Sequence, residues 1–286
     1  MSKRTVARTF DWPGTVLSAA PILVCLVFVW IIGSVLAHGL DQISWSFLTE
    51  APTRSGRAGG IGPILVATAL ILAVCITVAL PIAVATAILL AEFVSSKHRG
   101  ARAVRLSLDV LAGVPSIVFG IFGNAFFCSF LKLGFSILSG GLTLACMVLP
   151  VLIRTSEESF RSVPLSYRLG AFALGFSKTR TIFKLLLPLA LPGVLVGTLL
   201  GIGRALAETA ALIFTSGYVD RMPSSLLDSG RALSIHIFDL SMNITGADAA
   251  AYRSAVVLLA LLLVINGIVI CASNLWKRLA GLTAAV

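Results

Sequence analysis

Residues 164–192 read PLSYRLGAFALGFSKTRTIFKLLLPLALP, and this stretch separates two apolar segments of membrane length. Gly170, Ala171 and Gly175 are small residues at helical spacing. Lys178, Arg180 and Lys184 follow, and the apolar run from Leu185 to Leu187 stops at Pro188. The pattern predicts two short helices lying at a membrane surface, joined by a turn near Gly175 and Phe176. Small side chains let another protein's groove come close to the backbone. Such a loop would dock a partner and pass the partner's motion to the following span.

Composition places the rest of the chain around that loop. The 286 residues are 58% hydrophobic and 12% charged, more apolar and less charged than a soluble domain. Apolar runs of about 20 residues recur, which is the signature of an all-α integral membrane protein. Six spans are expected at 15–37, 63–93, 106–130, 137–153, 188–215 and 254–275. Residues 1–14 open with Lys3, Arg4 and Arg8, as a signal peptide does. The apolar run that follows is too long for one and lacks a small-residue cleavage site, so it reads as an uncleaved first span. Trp45 and Phe47 in the loop 38–62 suit an interfacial helix. The resulting organisation is a cytoplasmic N-terminus at 1–14, a six-span membrane domain at 15–275 and a cytoplasmic tail at 276–286. The domain contains the docking loop 154–187 and an outer segment 216–252.

The net charge of +10 reads first as orientation in a membrane and gives no case for nucleic acid as a partner. With both ends inside, the cytoplasmic segments hold Lys3, Arg4, Arg8, Lys97, Arg99, Arg102, Arg105, Arg154, Arg161, Arg168, Lys178, Arg180, Lys184, Lys277 and Arg278. The outer segments hold Arg54, Arg57, Lys132, Arg221, Arg231 and Arg253. Fifteen against six is a strong inward bias, and it puts the docking loop in the cytoplasm, where ATP is. The five cysteines all fall in apolar runs without metal-type spacing, and read as small core residues with no disulfide framework.

One cation, Arg204, falls within a span, and Glu208 stands four residues on. On a continuous helix the two share nearly one face. A charge at membrane depth costs about 2.5–3.5 kcal/mol on insertion scales, so it is expected to pair or to line a wet path. A guanidinium is a planar fork of donors suited to an oxyanion. Glu208 would pair with Arg204 when the path is empty, or accept a proton from a protonated oxyanion. Ahead of this pair, Gly193, Gly197 and Gly201 form a small-residue ridge for close helix packing. In the third span Pro115 frees a carbonyl, and Ser116 can satisfy polar groups at the break.

The loop resembles a known pattern. Permeases of bacterial binding-protein-dependent ABC importers carry Glu-Ala-Ala, three residues, Gly, nine residues, Ile-x-Leu-Pro. Leu169-Gly170-Ala171, Gly175 and Leu185-Leu186-Leu187-Pro188 match every spacing, with Leu169 standing where Glu is usual, Gly170 for the first Ala and Leu185 for Ile. LAGVPSIVFGIFG (111–123), GRALAETAAL (203–212) and RALSIHIF (231–238) are similar to the PstA family of phosphate-specific ABC permeases. The resemblance implies a six-helix, MetI-like (type I) permease fold in the bacterial inner membrane. It implies a heterodimer with a PstC-like permease, two copies of a PstB-like ATPase below, and a PstS-like phosphate-binding protein outside. The loop would be the helix that couples to the ATPase, and Arg204 and Glu208 the charged pair of the phosphate pathway. No cofactor is expected on this chain; ATP and Mg would be used by the ATPase. Permeases for sulfate, molybdate or phosphonate are the near alternatives, set apart only by the three family-specific segments.

Other classes fit poorly. The chain has no His-Glu-x-x-His, no Gly-x-Ser-x-Gly and no Gly-x4-Gly-Lys-Ser/Thr, so neither an intramembrane hydrolase nor the ATPase itself is expected. His38, His98 and His236 fall in expected loops, and His236 reads as a polar surface residue of the outer segment.

Overall fold

Helix α6, Ile137–Ser162, is the post to which the other elements are fastened. It starts sharply because Ser136 caps it, its hydroxyl accepting from the Ser139 amide at 3.1 Å. Helix α3, Gly62–Ile88, lies along one side. Its residues Ala67, Ile71, Cys75, Ala79, Ala83 and Ala87 recur every four positions and are at most 2% exposed. This ridge of mostly small side chains brings the two backbones close. A methyl on Gly141 of α6 would overlap the Val74 side chain, 2.6 Å away. Helix α9, Leu187–Leu206, lies on another side of α6 through the glycine ridge read from the sequence. Two four-residue ridges thus grip one central helix, the packing expected where lipid supplies no hydrophobic drive between helices.

The computed structural model describes residues 12–95 and 98–279. Lys3, Arg4, Arg8 and Lys97 of the charge tally, and residues 280–286 of the tail, lie outside them. Five described helices are long and apolar enough to cross a membrane, and one bent pair makes a sixth if counted as a single span. α1, Trp12–Gly39, meets α12, Asp248–Leu279, where His38 stacks on Tyr252 at 5.1 Å between ring centres. The apolar stretch of α1 is otherwise bare.

The third span departs from expectation. It is two helices, α4 at Arg99–Ala112 and α5 at Ser116–Gly123, and the pair is bent by 101° at the Gly113–Pro115 break. Pro115 cannot donate to the preceding turn, so the chain turns there instead of kinking mildly. Its first half is amphipathic, with Arg99, Arg102, Arg105 and Asp109 on a helix that lies at the basic end. The fourth span runs nine residues further than expected, to Ser162, taking in the start of the loop expected at 154–187.

Three helices loosen into π-turns, at Leu89–Phe93 after α3, Asn124–Phe130 after α5 and Ile182–Leu186 before α9. Each frees backbone groups that an α-helix would use internally. At the end opposite the basic loops, α2 (Trp45–Thr49) and a small antiparallel hairpin, β1 (Pro52–Thr53) with β2 (Ala58–Gly59), form a cap with α11, Leu233–Met242. Phe47, Ile61, Ile64, Leu233 and Val257 make its apolar centre. Trp45 is 79% exposed beside the buried Phe47, an arrangement suited to an interfacial helix. Of the cysteines, Cys75 and Cys128 are buried, whereas Cys25 and Cys271 face outward among lipid-facing apolar side chains.

Candidate functional site

The ridge on α9 fixes the depth of Arg204. A methyl added to Gly193 would run into Ser159 of α6, one on Gly197 into Thr155, and one on Gly201 would sit 3.2 Å from Leu152. The two helices are therefore antiparallel in a steady register. Continuing that register places Arg204 level with about Val148 and Leu149, the middle of the 26-residue α6. On another face of α6, Gly123 of α5 abuts Thr143, and Asp109 of α4 pairs with Arg154. The break at Pro115 falls between those two levels, so it too lies near the middle of the post.

The fifth span ends earlier than read. α9 stops at Leu206, and a separate short helix, α10, covers Ala210–Ile213. Arg204 and Glu208 therefore do not stand on one continuous helix. Glu208 turns to the next turn instead, its Oε1 accepting from the Ala211 amide at 3.4 Å. Both side chains are half-buried. Arg204 makes no ion pair or hydrogen bond with any described residue. The expected resting pair is absent because the helix break points the carboxylate away. A guanidinium without an anion at mid-depth is costly, which makes Arg204 a candidate to hold one.

The second halves of the two broken spans meet each other. Gly120 of α5 lies against α10: a methyl there would sit 2.9 Å from Cα of Ala211 and 3.2 Å from the Ala210 oxygen. Asn124 ties the same pair from its side-chain amide to the Phe214 oxygen at 2.8 Å. Pro115, Ser116 and Arg204 thus lie at similar levels along α6, and the second halves of the two broken spans are in contact.

At the basic end, α7 spans Leu165–Ala173. The chain then reverses at Gly175, whose φ of +73° is left-handed and suits glycine. The second surface helix of the sequence reading is not separate: α8 (Lys178–Thr181) runs through the π-turn into α9 as one helix from Lys178 to Leu206. Methyls at Gly170 or Gly175 would meet nothing within 4 Å. Leu169, Phe172 and Leu174 are more than half exposed, while Ala171 is buried. A groove of about 380 Å³ runs past Tyr167, Gly170, Ala171 and Leu185. Leu187 and Pro188 begin the span, and the Trp276 indole holds the Pro188 oxygen at 3.0 Å.

Ion pairs that spacing did not reveal anchor this surface. Arg168 of α7 donates to Glu92 at 2.6 Å and to the carbonyls of Val163 (2.6 Å) and Phe160 (2.8 Å). Glu157 of α6 accepts from Arg105 at 2.8 Å and from Arg161 at 2.9 Å. Both of these arginines also donate to the Leu90 oxygen, which lies in a π-turn. For Glu92 the detectable signal is its place inside an apolar run, where a carboxylate needs a cation close by; Glu157, in a polar stretch, gives none.

His236 corrects a second reading. It lies on α11, is 1% exposed, and its Nδ1 is buried without a partner. Burial first, and then the Arg231 charge, push its pKa down to about 4 against the pull of Asp239. Among the acids of the outer segment, Asp239 is 3.4 Å from Arg231, and Asp228 is exposed and held below the usual carboxylate range by hydrogen bonds from Ser224.

Residues 83–275 match the model of the family described as binding-protein-dependent transport system inner membrane component. The chain belongs to this family. A probable ABC transporter permease protein, YqgI of Bacillus subtilis, is 29% identical over 85% of this chain and 88% of its own length. The phosphate transport system permease protein PstA 1 of Mycobacterium tuberculosis is 33% identical over 76% of this chain and 70% of its own. Among solved structures, an inward-facing MetNI methionine ABC transporter superposes with a TM-score of 0.60 at 16% identity, covering 76% of this chain and 94% of the other. The fold is therefore that of a MetI-like importer permease, and the chain is a multi-pass membrane subunit of an ABC importer rather than an enzyme.

Proposed function

We propose that this permease carries inorganic phosphate, forming the pathway together with a second, PstC-like permease. The observation that carries the reading is Arg204, without an anion at mid-depth beside the end of α9, in a chain whose similar proteins include phosphate permeases. A guanidinium can hold a tetrahedral oxyanion by two N–H groups, and Glu208 can accept from the hydroxyl of a protonated phosphate. That second contact favours phosphate over sulfate, which carries no proton at neutral pH.

The charge bias supports a bacterial inner-membrane orientation with both termini in the cytoplasm. The exposed apolar face of α7 and the turn at Gly175 would then seat in a PstB-like ATPase, one of two copies. A PstS-like phosphate-binding protein would deliver its load to the opposite cap. ATP binding, with Mg, would bring the ATPases together, move α7, and through Arg168 and the continuous Lys178–Leu206 helix shift the Arg204 region between outward and inward access.

The test is phosphate uptake by vesicles holding both permeases, the ATPase and the loaded binding protein. Wild-type complex should take up phosphate and leave sulfate, and Arg204→Ala should lower the rate at least tenfold. Undiminished uptake by the variant removes Arg204 from the pathway; sulfate taken up in place of phosphate overturns the substrate.

A further inference from the structure

The break between α9 and α10 leaves several carbonyls without a helical partner, that of Glu208 among them. The first bond of α10 runs from the Ile213 amide to the Thr209 oxygen, so the Glu208 oxygen falls just outside the ladder. It is not left empty. The Ser234 hydroxyl, on the first turn of α11, donates to it at 2.7 Å. Ser234 is 6% exposed, and its neighbour Leu233 donates its amide to the Thr68 hydroxyl of α3 at 2.9 Å. Further along, the Gly230 amide and the Ser229 hydroxyl both hold the Ser216 oxygen, at 3.0 and 3.1 Å. The segment from the break to Ser216 is thus suspended from the start of α11 by side-chain and backbone bonds.

We propose that Ser234 is a positioning residue for transport: its hydroxyl holds the Glu208 backbone so that the break stays open beside Arg204, and it links the cap to the anion path. The residue touches no substrate. It acts on a peptide of the break whose rotation would help lengthen α9 toward α10 and turn the Glu208 carboxylate. A buried carbonyl stripped of its donor has two ways to recover, by admitting water or by closing the helix, and either one changes the path. This assignment rests on the phosphate reading above.

Ser234→Ala and Ser234→Thr test it in the complete complex in vesicles, with rates expressed per assembled ATPase so that yield does not enter. The bond is worth about a three- to tenfold change in rate, by the usual net value of one hydrogen bond. The Ala variant should lose that factor in maximal phosphate turnover, with the half-saturating concentration of loaded binding protein unchanged. The Thr variant, which keeps the hydroxyl, should recover to within about twofold of wild type. Turnover of the Ala variant equal to wild type overturns the proposal. So does a raised half-saturation at unchanged turnover, which would make Ser234 part of the docking surface only. Failure of the phosphate reading looks different: wild-type complex itself would then take up no phosphate.

Discussion

Replacing Glu157 by Gln should cost this protein more stability than almost any other single polar change. Its side chain is 6% exposed, and its main partner Arg105 is 17% exposed. Arg161, the second partner, is 41% exposed, so water already screens that arm. Removing one member of a buried pair leaves the other charge uncompensated, at about 3–5 kcal/mol. The exposed arm adds less than about 1 kcal/mol. Gln can keep its oxygen where both guanidiniums donate, at the Oε1 position, but it carries no charge, so nothing takes over the lost anion. A total near 3 kcal/mol corresponds to a fall of about 6–12 °C in the unfolding midpoint of the purified complex. Arg105→Gln alone should lose a similar amount, and the double variant clearly less than the two together, with about 2 kcal/mol of coupling. A midpoint within about 2 °C of wild type, or strictly additive losses, would refute the view that this pair pins α4 to α6.

Gly197→Val should lower the yield of folded protein and destabilise it by at least about 2 kcal/mol, because the new side chain meets Thr155 of α6; Thr155→Gly should restore part of the loss in the same thermal assay. Gly175→Val meets no neighbour and has only its left-handed backbone to strain, at about 1–2 kcal/mol, so the chain should still fold. Reduced co-purification of the ATPase with that variant is expected, and unchanged recovery would argue against the α7 turn as the docking point. His236 binds a proton in the folded cap only near pH 4, but at about 6.5 when exposed. The unfolded form therefore holds more protons between those values, and stability is full above pH 6.5 and falls as pH drops toward 4, by at most about 3 kcal/mol. His236→Leu should flatten that dependence, measured as unfolding midpoints at pH 7.5 and 5.

Much of this arrangement was legible in the chain. Apolar run lengths place the spans, the four-residue spacing of Gly193, Gly197 and Gly201 marks a ridge, and the loop spacing around Gly175 marks a reversal. The matching ridge from Ala67 to Ala87 was equally open to a periodicity reading and went unread because alanine blends into an apolar run. What periodicity does not encode is where a helix stops for a side-chain reason. Glu208 ends one helix by capping another, a choice between local bonds that composition leaves undecided. The main partner of Glu157 stands 52 positions away and that of Glu92 76, so only the packing of α3, α4, α6 and α7 brings them together. His236 looked like a loop residue because its polar neighbours dominate the segment, whereas the hairpin around Gly56 folds over it.

The π-turns carry a consequence for how such a chain tolerates changes in length. A π-turn holds one residue more than the α-helical turn it replaces, and excising that residue restores a regular helix without altering either end's placement in the bilayer. A single-residue deletion within Ile182–Leu186, which has helix on both sides, can therefore be absorbed locally. The same deletion in the middle of α6 has no slack to consume. It would rotate half of that helix by about 100° and present the wrong face to both ridges at once.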